Sequence, residues 1–532
     1  MIRWLALVLA ALVCGGAVFF DRTSPASVES TQSVAAGRHV NPSLGDVPRL
    51  QAAWFCPFGS SSADGIADHE ITIANLEGTP AVAEVSVLTA EGPVPSLRIV
   101  VPAFGSETKR LASLSDSELA GAVVEITGGE GVVGHSVTTS NGVAEGTCAT
   151  QVSREWFFGN GRTTDDSEPY IMLMNPFDDA ALYNVEFRIA GRPEPRQPEA
   201  LQGQAIKPNS VVRLDLREYV TPEENLTVRI TTRRGQIVAE RLQMLNGSQG
   251  PQGASLQLGV ANAAESWIFP GGRLSSKGGD QIVIWNTSET EASTVEVGFW
   301  PNNPEDRSTF SFIPVARELQ PGRFEVIDLV EEGESFGITL PYELAVTVSA
   351  DGAPVVAERW HLGEGYFVDD DATDPEAGDA EAEDPAPDEE EDEGAAAEES
   401  PYAQPTASTG LATSRGVEVV ADKWVVPWAR VNGSQLVITA AEDTNVRVRI
   451  LADGQLLAEP TIVAVPARGR TLVDLEAVSP NGAVVVESFV EGEDEDEDEG
   501  EGEQQQPPDI AVELQVVAED GALDIVPAVP AV

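Results

Sequence analysis

The residues of this 532-residue chain with chemistry beyond packing are four histidines, three cysteines and a large excess of carboxylates. Histidine is the usual acid or base near neutral pH. His39, His69, His135 and His361 are scattered without H-x-x-x-H or HExxH spacing, so each reads as structural or exposed, not as a metal ligand. Asp215, Asp328 and Asp474 each close an apolar strand, in RLDL, VIDL and LVDL. A glycosidase needs two carboxylates flanking one bond. These three recur at one equivalent position in separate copies of a repeat, which makes them strand-end caps. The stretch GEGVVG at 129–134 fits G-x-G-x-x-G but has no following helix to hold a phosphate, and GHSVT around Ser136 lacks the closing Gly of a nucleophile elbow. No catalytic, cofactor-binding or metal-ligating residue is assigned, and no cofactor is expected.

Cys14 falls inside an apolar run, which leaves Cys56 and Cys148 as a pair. In an oxidising compartment two such cysteines predict one disulfide, tying the first and last strands of the unit they flank.

What must position these residues is a repeated unit. Each copy opens on a Trp-bearing strand: AAWFCPFG at Trp54, REWFFGNGRT at Trp156, ESWIFPGGRL at Trp267 and DKWVVPW at Trp424. The four tryptophans are expected to plug cores. A strand ending in Asn follows, at Asn75, Asn175 and Asn286, with Ala440 in the fourth copy, and Asn there suits a turn that hydrogen-bonds its own backbone. Next come a proline turn and the Asp-Leu strand, then a predicted hairpin, LTVRITTRRGQIVAERL in the second copy and LAVTVSADGAPVVAERW in the third. Alternation of period two, with turn signals between about six or seven short strands per 100 residues, predicts an all-β chain. The expected architecture is four tandem immunoglobulin-like antiparallel β-sandwich modules in a row.

Ahead of them Arg3 precedes the run Trp4–Phe20, long enough to target a membrane as an uncleaved anchor or a signal peptide. The positive-inside rule places the N-terminus in the cytoplasm and the rest outside. The expected divisions are this segment at 1–22, a tether at 23–50, modules at 51–150, 151–260 and 261–368, an acidic disordered linker at 369–415, and a fourth module at 416–532. The fourth carries an acidic insertion in its hairpin at about 491–508. The linker holds 17 acidic residues between Asp369 and Glu399, and the insertion 10 between Glu491 and Glu503. An EF-hand loop counted from Asp494 would need Gly at its sixth position, where Glu499 stands, so these runs read as solvated charge. A formal charge of −55 repels nucleic acid and anionic membrane surfaces, so membrane attachment is expected only through the apolar segment.

The W-[FYI]-F-x-x-G openings, Asn-ended strands and G-x-VVAER hairpins resemble those of an uncharacterised actinobacterial family of exported or membrane-anchored proteins, often encoded beside a large membrane glycosyltransferase. That resemblance runs from about Trp54 to the end, outside the acidic segments. It implies a link to envelope assembly, and an envelope glycan or that glycosyltransferase as partner. The expected function is a non-enzymatic, extracytoplasmic binding or scaffold protein. The alternatives are an envelope glycan-processing enzyme or its subunit, and a calcium-dependent adhesin.

Overall fold

A computed structural model of the chain describes residues 51–276, 278–303, 305–363, 410–418, 420–427, 434–452, 455–475, 482–490, 507–517 and 523–531. The apolar segment Trp4–Phe20, the tether, most of the acidic linker and the run 491–503 lie outside the described residues. Among the described residues no helix is long and apolar enough to cross a membrane.

The described chain is nearly all β, in eight antiparallel sheets, two from each repeat. Alternation drives this. In Ala181–Ile189, Tyr183, Val185 and Phe187 point into a core while Leu182, Asn184 and Glu186 lie at the surface. The second repeat shows the plan. Its opening sheet orders Glu155–Phe158, Leu226–Arg234, Ala181–Ile189 and Gln202–Ile206, and its closing sheet orders Ser210–Asp215, Ser167–Asn175, Val238–Asn246 and Gln252–Leu258. Trp156, Phe187 and Ile230 of the first share one core with Ile171, Leu173 and Leu242 of the second.

The other repeats follow it. Their returning strands, equivalent to Val238–Asn246, are Gly131–Thr139, Val355–Leu362 and Ile510–Val517. Their closing strands, equivalent to Gln252–Leu258, are Gly142–Thr147, Leu411–Ser414 and Leu523–Pro527. Trp156, Trp267 and Trp424 are buried and donate Nε1–H to the carbonyls of Ile237, Val355 and Ile510, each at 2.9 Å, which staples one sheet to the other. Trp54 is equally buried, with no acceptor for its Nε1.

Three expectations need correction. The predicted hairpins are not hairpins: Leu226–Arg234 and Val238–Asn246 belong to different sheets, as do Tyr342–Gly352 and Val355–Leu362, and Ala483–Phe489 and Ile510–Val517. Each short connection crosses from sheet to sheet, because each strand finds partners on both sides within its own sheet. The acidic linker does not separate modules either. Leu411–Ser414, placed in it by the sequence, pairs with Val355–Leu362 and completes the third repeat's closing sheet. The 364–409 stretch is thus an insertion within that repeat, and Gly363 N–H donates to Gly410 O at 2.9 Å across its base.

Nor do the repeats stand apart. The residue after each opening Trp leaves its own core and packs into the next one. Phe55 packs on the second repeat's cluster, Phe157 enters the third's and Ile268 packs on the fourth's. Val425 enters the cluster of Trp54, so the fourth repeat contacts the first. Phe157 meets Trp285 edge to face at 5.4 Å, a geometry worth about 1 kcal/mol beyond its buried area. The closing strands touch in the same cycle: Gln252–Leu258 meets Gly142–Thr147 and Leu411–Ser414, and Leu523–Pro527 meets both of those as well.

Candidate functional site

The returning strands carry a charged residue where an apolar strand has no local reason for one. Strand register puts Glu240 opposite Met172, Glu358 opposite Val283 and Glu513 opposite Val437, each partner lying three residues before the Asn landmark or its Ala440 replacement. Gly134 occupies that place in the first repeat, opposite Thr72. The next residue is Arg241, Arg359 or Leu514, and in the first repeat His135.

Each glutamate reaches back into the preceding repeat. Its Oε2 accepts the backbone N–H four residues after that repeat's opening Trp: Phe58 N–H to Glu240 at 2.9 Å, Asn160 N–H to Glu358 at 3.1 Å and Gly271 N–H to Glu513 at 2.7 Å. The other oxygen takes a second partner. His135 Nε2 lies 2.9 Å from Glu240 Oε1, and Arg241 Nη2 donates to Glu358 Oε1 at 2.6 Å. Glu513 Oε1 accepts from Ser414 Oγ.

The cations are tied down by several partners each, although Arg241 Nε finds none. Arg241 donates to Asn160 O and to Gln257, with its guanidinium 5.1 Å from the Trp360 ring centroid and 5.7 Å from that of Phe158. Arg359 grips Asp280 through Nε and Nη2 at 2.9 and 2.6 Å and donates Nη1–H to Gly271 O at 2.7 Å. A side chain at Gly272 would collide with that guanidinium, which explains the glycine. In the first repeat His69 stands where the third has Asp280, six residues before the Asn landmark. His69 Nε2 lies 2.9 Å from His135 Nδ1, and its Nδ1 lies 2.9 Å from Ala120 O.

Burial governs the electrostatics of this ladder. It pushes Asp280 upward, but Arg359 and His361 outweigh it and hold that carboxyl below its ordinary range. Glu513 is raised, because burial prevails over Ser414, Gly271 and the nearby arginines. Arg415 and Arg470 fall to about 10 through burial and remain cationic at neutral pH. Burial first and His135 second bring His69 down to about 3, so its imidazole is neutral.

Comparison with known proteins adds little chemistry to that geometry. A family model described as a family of unknown function, DUF5719, matches residues 136–303. The match runs from the first repeat's returning strand into the third repeat. No curated protein matches the chain. A solved structure of Thermotoga maritima 1070 aligns at 20% identity over 20% of this chain and 84% of that one, with a TM-score of 0.16. A Streptomyces avermitilis alpha-L-rhamnosidase complexed with L-rhamnose aligns at 9% identity over 59% of this chain and 44% of its own length, with a TM-score of 0.14.

The landmarks read from sequence lie as follows. Cys56 and Cys148 form a disulfide. Cys56 is two residues past its Trp, the place of Phe158, Phe269 and Val426, and Cys148 takes the place of Gly259, Gly416 and Ala528. In the second and third repeats the Phe ring lies against the Gly, so the covalent bond replaces an aromatic–glycine contact. The Oδ1 atoms of Asn75, Asn175 and Asn286 accept the N–H two residues on, while their Nδ2 groups donate to carbonyls across the turn. Asp215 and Asp328 cap short helical turns, and Asp474 accepts from Gln435. Each of these aspartates serves its own repeat. Sequence reasoning misses the clasp residues Glu240, Arg241, Glu358, Arg359 and Glu513, although the doublet Glu-Arg inside the repeated VAER carries the signal of the first four.

Proposed function

We propose that the chain is a non-enzymatic scaffold or binding protein, held on the extracytoplasmic face of a bacterial membrane by its N-terminal apolar segment. Each repeat is read as an immunoglobulin-like sandwich. The observation that carries this reading is the clasp at three successive junctions. The buried groups best suited to acid, base or charge chemistry are spent on joining one repeat to the next, which is the arrangement of a rigid platform. The Cys56–Cys148 disulfide supports an oxidising compartment, where such bonds persist. The resemblance in the repeat motifs supports an envelope glycan or a membrane glycosyltransferase as partner.

The test is capture of the tagged full-length chain from native membranes. The reading expects the protein in the membrane fraction, cleavable by protease added outside intact cells, and co-captured with an integral membrane glycosyltransferase. Recovery from the cytoplasm with Cys56 and Cys148 as free thiols would overturn it. Turnover of an envelope glycan by the purified chain would replace it with the enzymatic reading.

A further inference from the structure

We propose that the junction between the first and second repeats is a proton-loaded clamp, strongest near the ordinary pH of histidine titration and weaker on both sides of it.

Protons can be counted along one hydrogen-bonded line: Ala120 O, His69 Nδ1, His69 Nε2, His135 Nδ1, His135 Nε2, Glu240 Oε1. Its three contacts, Ala120–His69, His69–His135 and His135–Glu240, each measure 2.9 Å. Every contact needs one hydrogen. A carbonyl supplies none, so His69 carries its proton on Nδ1, which leaves its Nε2 as acceptor. His135 must then donate from Nδ1, and a second proton is required between its Nε2 and Glu240. Two neutral imidazoles and a carboxylate hold two protons, whereas the line holds three. The extra one sits on His135 Nε2 and makes that ring a cation against the Glu240 carboxylate, both side chains being fully buried.

The groups facing this line have fixed roles. Arg415 acts on Glu240 from the third repeat's closing segment. Arg241, next to Glu240, is taken up by Glu358. Glu145 is buried beside Gly146, the residue paired with His135. Asp68, next to His69, pairs with Arg110. The equivalent third-repeat pair is Asp280 with Arg359, and the cation at the second junction is Arg241. An arginine keeps its proton at any physiological pH. Among the described junctions the first alone relies on histidine as its cation.

When the two repeats part and water reaches the rings, the reference is a free imidazole, which titrates near pH ~6.5. Below that value the separated rings and the carboxylate hold four protons against three on the clamped line, so joining must expel one. The depressed His69 is the group that gives it up. Above that value the separated groups hold two, so joining must take one up. By linkage the closing constant falls about tenfold per pH unit on either side, until the line itself gains or loses a proton.

Two measurements on the full chain test this. With only histidine imidazoles 15N-labelled, spectra at pH 7.5 should show His69 neutral with hydrogen on Nδ1, and His135 protonated on both nitrogens. A neutral His135 with a bare Nε2 would overturn the proposal. Amide-exchange protection of Phe58, whose N–H is held by Glu240 across the junction, should be bell-shaped against pH. It should flatten in the His69→Asp, His135→Arg double variant, which copies the third repeat's pair. A wild-type profile that is flat between pH 5 and 9 would equally overturn it. Should the double variant fail to fold, the imidazole spectra and the wild-type profile decide the matter.

Discussion

Glu358 of the third repeat accepts the Arg241 guanidinium of the second at 2.6 Å, with both side chains essentially out of contact with water. Breaking one partner of such a pair leaves a buried charge uncompensated. Glu358→Gln should therefore destabilise the chain by about 3–5 kcal/mol in denaturant unfolding. Arg217→Ala, which removes a half-exposed pair with Asp215, should cost under about 1 kcal/mol. Equal costs for the two substitutions would refute the assignment of Glu358 as a clasp.

Glu513 behaves in the opposite sense. Its folded carboxyl is raised, chiefly by burial, so the stability it contributes is full below the ordinary carboxylate value and is lost as pH rises through the folded value. Glu513→Gln keeps an acceptor for Gly271 N–H without the charge. It should raise the melting temperature at pH 8 and leave it unchanged at pH 4, as thermal melts at the two pH values will show. A loss at pH 8 would mean that Glu513 is ionised and well compensated by Arg359 and Arg470.

These clasps mark the limit of what is legible in the sequence. Trp54, Trp156, Trp267 and Trp424, the Asn-ended strands and the capping aspartates are local signals, fixed by alternation and turn chemistry within about ten residues. Glu240 and Arg241 are visible as two charges in an apolar strand. Their partners lie 182 residues away at Phe58 and 117 away at Glu358. The crossing between sheets is hidden for a related reason. Two alternating strands joined by Gly235 and its neighbours look like a hairpin, and only pairing with strands elsewhere in the repeat puts them in opposite sheets. The short segment Leu411–Ser414 carries too little pattern to be recognised after so long an acidic insertion.

The disulfide and the aromatic–glycine contact occupy one structural place, which makes them exchangeable in part. Cys56→Ala with Cys148→Ala should cost module one about 2–5 kcal/mol. Cys56→Phe with Cys148→Gly, copying Phe158 and Gly259, should recover part of that loss. Melts of the two double variants decide it, and the Phe–Gly chain proving no more stable than the Ala–Ala chain would contradict the equivalence.

Both acidic segments are insertions within repeats, and the prediction is that folding does not need them. Replacing 364–409 by Asn-Gly should leave the melting temperature within about 2 °C, because loop closure costs grow only logarithmically with length. Deleting 491–506 leaves Val490 and 507–509 to connect Phe489 with Ile510, where Gly235–Ile237 suffice in the second repeat. Protease cuts within 364–409 should not release the fourth repeat, since Leu411–Ser414 holds the C-terminal fragment in the third repeat's sheet. Two separate peaks in native size-exclusion chromatography after such a cut would count against this topology.

The four repeats pack in a cycle, the fourth on the first, and the sharpest probe of that cycle is Val425. This side chain is fully buried in one cluster with Trp54, Val85 and Val124 of the first repeat. Val425→Asp puts an unpaired carboxylate into that contact. Hydrogen exchange followed by mass spectrometry on the full chain should then show faster exchange in Gln51–Cys56 and Ala120–Thr127, far from the substitution in sequence. If those strands exchange as in the wild type while only the fourth repeat loosens, the repeats are independent and the cycle is refuted.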